Sequence, residues 1–302
     1  MTFTQLEIFA LVAELGGFTA AASRLGIGQS AASHALKALE KELRVSLISR
    51  HPTALKPTEI GQQVLLRARE ILNLAEALKQ EAAAVGGLSQ GVLRIGSFGP
   101  TSSVRLLPGI LAEFRSGFPG IEVYVDEGED AAVTRWILEG RVDVGFVVLP
   151  DERFDTTPLL VDELMALVPA AHPLSKARSI APADLIGVPF ILTQAGSSSL
   201  VESRFSALGL HPDIRYRVSQ MVTILSMVDR GEGVSIVAEH ALPERLDAHY
   251  PGIVARPLRP VTRRQIGLAV RSLRQASPAA REFLKIAARV CRPKPAAKKA
   301  IA

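Results

Sequence analysis

Between Thr58 and Val85 apolar residues recur in alternating steps of four and three: Val64, Ala68, Ile71, Ala75, Leu78, Ala82 and Val85. That spacing is a helical seam sustained for three heptads. Thr58 is placed to cap the helix and Gly86-Gly87 to stop it, which predicts a rod of roughly 40 Å. Small seam residues make a poor core for one domain. A dimer interface through Val64, Ala68, Ile71, Ala75 and Leu78 fits better, with packing on the helix's own domain as the alternative. The rod divides the 302 residues into a short leading segment and a long trailing one.

The leading segment, residues 1–58, predicts three helices and a wing. Phe3, Leu6, Phe9, Ala10 and Ala13 share one helical face, and Gly16-Gly17 end that helix. Thr19 is placed to cap a second helix running to Leu25. Gly26-Ile27-Gly28 make a tight turn, and a third helix starts at Gln29. Ala32, Leu36 and Leu39 line one face of it; Gln29, Ser30, Ser33, His34 and Lys37 line the other. Two short helices joined by a three-residue, glycine-containing turn have the shape of a helix-turn-helix. RVSLISRHPTALKPT then reads as two short strands around His51-Pro52.

The trailing segment, from Gly91, alternates strands and helices, which predicts a mostly parallel sheet flanked by helices. VLRIGSF, IEVYVDEG and VDVGFVV are strands of a first unit. LMALVP, PFILT, Ile214 to Val218 and GVSIVA belong to a second, and IGLAVR returns to the first. The fold class expected is α/β: a winged helix-turn-helix, a linker helix (59–88), and a two-lobed binding domain (89–295) that resembles a periplasmic binding protein. Lobe I is expected at about 89–162 and 266–295, lobe II at about 163–265, with 296–302 a disordered tail.

Charge restrains the nucleic-acid reading. The net charge is +5, but six basic residues and no acid follow from Lys285, and without them the balance is −1. The basic pI therefore describes the tail more than the body. A lone cysteine, Cys291, excludes an internal disulfide framework and suits a reducing cytoplasm. The start, MTFTQLEIFALVAELGG, lacks a basic leader, and no apolar stretch is long enough to span a bilayer, so no membrane association is expected.

FTAAASRLGIGQSAASHALKALEKELRVSLISR followed by LKPTEIG resembles the signature of LysR-type transcriptional regulators. Ala21-Ala22, Leu25, Gln29-Ser30, Ser33, Leu36, Leu39-Glu40, Leu43, Leu47, Arg50, and Thr58 with Gly61 stand in register. Leu106-Leu107-Pro108, Gly140 with Asp143, His172-Pro173-Leu174 and Gly231 with Gly233-Val234 fit the family's effector domain more loosely. Three positions depart from the pattern: Gly28 replaces a hydroxyl residue before Gln29, His34 a common arginine, and Ile48 a common aromatic. Glycine still serves as an N-cap, so the third helix should begin unchanged.

The resemblance implies double-stranded promoter DNA, a small-molecule effector and self-association into a dimer or tetramer as partners, with RNA polymerase added where the protein activates. The DNA contacts expected are Thr19, Gln29, Ser30, Ser33, His34, Lys37 and Arg50. Gln29 can pair bidentately with adenine, Ser30 and Ser33 are less selective, and Lys37 and Arg50 would meet phosphates. His34 is either a phosphate contact or a plain surface residue.

Ligands of open α/β sheets settle beyond the carboxyl ends of strands. Two hydroxyl-rich loops there open helices: Pro100, Thr101 and Ser102 on one, and Thr193, Gln194 and Ser197 on the other. Facing each other across a cleft, they would suit a carboxylate-bearing metabolite. Met221 and Thr223 begin a third helix that the resemblance places near the ligand. Glu129 argues against a plain dicarboxylate. The alternatives are a small-molecule-binding protein without a gene-regulatory role and a ligand-independent DNA-binding protein.

No enzyme, cofactor or metal site is expected. His34, His51, His172, His211, His240 and His249 show no metal spacing, no phosphate loop is present, and the GxS patterns near Ser97 and Ser197 lack the last glycine of a nucleophile elbow.

Overall fold

The computed structural model describes residues 1–51, 54–84, 90–194 and 196–292, without the side chains of residues 50, 51 and 54. The proposed helix stop at Gly86-Gly87 and the tail at 296–302 lie outside the described residues, as does Val85.

Three helices form the N-terminal core: α1 (Phe3–Leu15), α2 (Phe18–Leu25) and α3 (Gln29–Leu43). Thr2 and Gln5 form a reciprocal capping box at the start of α1, and Gly16 ends it in the left-handed conformation at φ 66°. The expected cap on α2 is corrected. Gly17 is its N-cap, without a side-chain bond, and Thr19 sits exposed one residue inside the helix. Leu6, Phe9, Val12, Ala21, Ala22, Ala32, Leu36 and Leu39 bury one another between the three helices. Glu40 then steers the chain into the wing: its Oε1 accepts from the Leu47 backbone N–H at 2.8 Å. The wing is a hairpin of β1 (Ile48–His51) and β2 (Ala54–Pro57), with Arg50 opposite Leu55.

Thr58 caps the rod α4 (Glu59–Ala84), its Oγ1 accepting from Gly61 N–H at 2.9 Å and donating to the Ser46 carbonyl at 2.7 Å. Gly61 lets the first turn of α4 lie on the wing. A Cβ there would overlap the Leu47 carbonyl oxygen and meet its carbon at 3.0 Å. Because backbone cannot swing aside, Gly61→Ala should destabilise the winged domain by about 3 kcal/mol. Gly117, which has nothing within 4 Å of a Cβ, should accept alanine with no loss. Thermal melts of the two variants check the contrast.

The effector domain is built on strands β3 (Gly91–Ser97), β4 (Ile121–Glu127), β5 (Val144–Leu149), β6 (Asp155–Pro169), β7 (Pro189–Thr193), β8 (Asp213–Val218), β9 (Val234–Ala238), β10 (Ile253–Pro257) and β11 (Arg263–Val270). Helices α5 (Leu107–Gly117), α6 (Asp130–Leu138), α7 (Ser198–Ala207), α8 (Met221–Asp229), α9 (Leu246–His249) and α10 (Pro278–Val290) complete it. A six-residue π-helical turn, Thr101–Leu106, precedes α5. The strands lie in the order β4-β3-β5-β11-β6-β9-β7-β8, with β10 on the other side of β6.

The expectation of a mostly parallel sheet is half right. Strands β4, β3 and β5 run parallel in lobe I, and β8, β7 and β9 in lobe II. The strands that carry the chain between lobes pair antiparallel. Strand β6 does both jobs. Its first part pairs with β11 up to Glu163, and from Leu164 it pairs with β9 and β10. Each lobe has its own hydrophobic core, one around Phe98, Phe114, Phe146 and Phe283, the other around Phe190, Ile191, Phe205 and Ile236. Strand β6 thus changes partners at residues 163–164, and β11 pairs with it from Arg263.

The two halves of the chain touch along α4. Arg69 pairs with Glu139 at 3.1 Å, and Asn73 donates to the Gly140 carbonyl at 2.8 Å. Buried Gln80 donates to the Val92 carbonyl at 2.9 Å and accepts from Ala279 N–H at 3.1 Å. Among the described residues no helix is long and apolar enough to cross a membrane.

Candidate DNA-binding face and effector cleft

Helix α3 is held by its apolar face and free on the other. Gly28 is its N-cap with extended backbone, so the chain enters the helix at the expected residue. Ala32, Leu36 and Leu39 anchor it, leaving Gln29, Ser30, His34 and Lys37 exposed and Ser33 half-buried. The first turn contains no acid and Gly28 offers no side-chain cap, so the first backbone N–H groups of α3 point outward without a side-chain acceptor from the cap. The Arg50 side chain lies outside the described residues.

Where β6 and β11 pass between the lobes the two hydroxyl-rich loops meet, joined by residues that no local pattern marked. Thr101 and Ser197, both buried, are bridged by the guanidinium of Arg264. Its Nη2 donates to Thr101 Oγ1 at 2.8 Å, and its Nη1 to Ser197 Oγ at 2.9 Å and to the Gly196 carbonyl at 2.6 Å. Asp162 is its counter-ion, with Oδ2 3.0 Å from Nη2 and 3.4 Å from Nε. The other carboxylate oxygen accepts from the His240 backbone N–H at 3.1 Å and lies 2.8 Å from His240 Nδ1.

Asp162 and Arg264 stand on β6 and β11 where the chain changes lobe, so one ion pair is bonded from both sides. Burial alone would raise the Asp162 carboxyl. The charge of Arg264 and the hydrogen bonds from His240 and Arg264 outweigh it and hold the group below its ordinary value. Burial pulls the guanidinium down, with Asp162 opposing. Gly196, at φ 74°, packs so closely on the Phe98 ring that a Cβ would overlap it.

The remaining residues expected at the ligand are dispersed in role. Ser102 is buried and bonded to the backbone of its own turn, accepting from Phe98 N–H at 3.2 Å and donating to the Phe98 carbonyl. Pro100 begins that turn, half-buried. Thr193 is buried at the end of β7, next to half-buried Gln194. Met221 packs in the lobe II core, while Thr223 and Glu129 are exposed. Asp130, one residue past Glu129, feels Arg264, yet burial raises its carboxyl above the ordinary value.

The expected seam on α4 is not presented whole. Ala68 is 1% exposed and belongs to the N-terminal core, with Val64 packed against it. Farther along, Ile71, Leu74 and Leu78 emerge, Leu78 at 69% exposure. Residues of α4 as far as Leu72 pack on the N-terminal core, so the early seam positions face the helix's own domain, whereas Leu74 and Leu78 lie beyond it and face out.

Comparison with known proteins agrees with this architecture. Residues 3–62 match the model for the bacterial regulatory helix-turn-helix protein of the lysR family, and residues 86–292 the LysR substrate binding domain. The uncharacterized HTH-type transcriptional regulator YvbU of Bacillus subtilis is 36% identical over 291 residues, covering 95% of this chain and 98% of its own. A full-length OxyR variant from Pseudomonas aeruginosa superposes with a TM-score of 0.72 at 25% identity, over 98% of this chain and 99% of that one. Full-length CbnR in complex with its target DNA is 26% identical, with a TM-score of 0.53 over 97% of this chain and 100% of that one. With both domains matched in order along nearly its whole length, the chain belongs to the LysR family of bacterial helix-turn-helix transcriptional regulators.

Proposed function

We propose that this protein reads promoter DNA with paired α3 helices and adjusts transcription when a small molecule enters the cleft between its lobes. The observation that carries the reading is the outward face of α3. Four polar side chains, Gln29, Ser30, His34 and Lys37, stand exposed on a helix pinned by its other side and followed by a wing. Such a helix presents its N-terminal residues to base edges in the major groove, and a single head makes few contacts. Ile71, Leu74 and Leu78 on α4 supply the face through which a second copy joins, as a dimer or as part of a tetramer. The CbnR complex, a relative of the same domain order bound to its target DNA, supports the placement. Thr19, Ser33 and Arg50 are further DNA contacts in this reading, Arg50 to a phosphate. In a bacterial cytoplasm the remaining partner is RNA polymerase, where the outcome is activation.

Selection of sites from a random duplex library by the full chain at moderate salt tests the reading. The expected product is a two-fold motif whose half-sites lie about one helical turn, roughly 10 base pairs, or a multiple of it apart. Recovery of unenriched sequence would leave an effector-binding protein without an operator.

A further inference from the structure

We propose that Asp162 is the cleft's own carboxylate, filling the position that Arg264 and the hydroxyl loops would otherwise offer to a ligand anion. An effector carboxylate is then excluded from Arg264. The inference rests on the two-lobed effector domain described above and names the chemistry it refuses at this position.

The hydrogen bonds leave little room for an external anion. A guanidinium has five N–H donors. Arg264 directs them to five acceptor contacts: Asp162 twice, Thr101, Ser197 and the Gly196 carbonyl. Thr101 Oγ1, having accepted from Arg264, lies 3.3 Å from Asp162 Oδ2 and donates to it. Both Asp162 oxygens are thereby engaged, and its side chain is fully buried, with that of Arg264 at 1% exposure. A ligand carboxylate arriving here would compete with a carboxylate already bonded from both lobes.

The surrounding charge points the same way. Asp130 and Glu129 stand at the start of α6, and a buried cation neutralised by its own partner does not offset them. Asp130 is already harder to ionise than an exposed aspartate because burial outweighs its backbone bonds and the distant pull of Arg264. A second anion would raise that cost. On the lobe II side Gly196, whose carbonyl accepts from Arg264, fits under the Phe98 ring only without a side chain.

Chemical rescue tests the assignment on the full chain. Asp162→Ala removes the internal carboxylate and leaves a space beside Arg264. Sodium acetate should restore most of the lost Tm saturably, whereas sodium chloride at equal ionic strength and acetamide should not. The wild type should show no saturable response to acetate, and Asp162→Ala combined with Arg264→Gln should lose the rescue. Asp162→Ser, which keeps a hydrogen-bonding group while vacating the second oxygen, is measured alongside and should respond as the alanine variant does. A saturable acetate response of the wild type that Ser197→Ala abolishes would overturn the proposal. So would folded Asp162 variants that gain no more from acetate than the wild type does. None of these melts contains DNA, so a failed rescue leaves the reading of α3 standing, and failure to select operator sites leaves the rescue standing.

Discussion

Ser30→Glu should melt at the wild-type temperature or slightly above it, yet bind operator DNA at least about a hundredfold more weakly. The two effects have opposite signs because they come from one charge in two settings. In the free protein the residue lies in the first turn of α3, which has no acid and whose N-cap Gly28 makes no side-chain bond. A carboxylate there complements the positive end of the helix dipole and is worth about 0.3–1 kcal/mol. Ser30 is exposed, so a longer side chain there can reach into solvent. In the groove placement proposed for α3 the same residue meets base edges between two phosphate backbones. The lost serine hydrogen bond costs about 0.5–1.5 kcal/mol per head, two heads double it, and repulsion of the new charge by the flanking phosphates adds to it. Electrophoretic mobility shift beside a thermal melt checks both signs. A variant that melts normally and still binds the selected site at wild-type affinity would remove α3 from the groove.

The same helix shows how far local sequence reaches. Gly28, Gln29 and the buried triad Ala32, Leu36 and Leu39 were readable because a helix start and its apolar period are set within a few residues. Thr58 was readable as a cap for the same reason. Thr19 was not, because Gly17 two residues earlier already supplies the extended backbone a cap needs. The loops of Thr101 and Ser197 could be placed at strand ends by topology alone. What joins them could not. Asp162 and Arg264 are 102 residues apart in sequence, and each looks locally like an ordinary polar residue in a strand. Their meeting depends on β6 crossing from one lobe to the other beside β11. That crossing was itself obscured, because Pro158, Asp162 and Glu163 interrupt the apolar run in β6. Likewise the heptads of α4 were visible, but which face of a rod meets its own domain is decided by packing far from the repeat.

That division of α4 sets the largest effect expected away from the DNA surface. Leu78→Asp should leave the monomer's fold intact, lower the oligomeric order in sedimentation, and weaken operator binding by about two to four orders of magnitude. Leu78 is 69% exposed and Leu74 54% within one chain, so an aspartate at 78 costs the isolated monomer little. In an assembled pair of α4 helices the same carboxylate would be buried at the seam with no cation, which an interface does not tolerate. Toward its N-terminal end the same helix borders a groove of about 610 Å³ whose apolar lining includes Leu6, Leu43, Ile60, Val64 and Ile71, with Arg67, Glu70 and Arg271 at its charged part. Surface for a partner, apolar with a charged part, thus continues beside the stripe. Operator affinity falls with assembly because each head alone has few contacts, and joining two turns the second binding step into an intramolecular one. Gln62→Asp, an equal charge on an exposed position away from the stripe, should change neither measurement. If Leu78→Asp sediments as the wild type does, the paired heads must be held by another surface. If it dissociates but keeps full operator affinity, pairing through α4 is not what brings two α3 helices to one site.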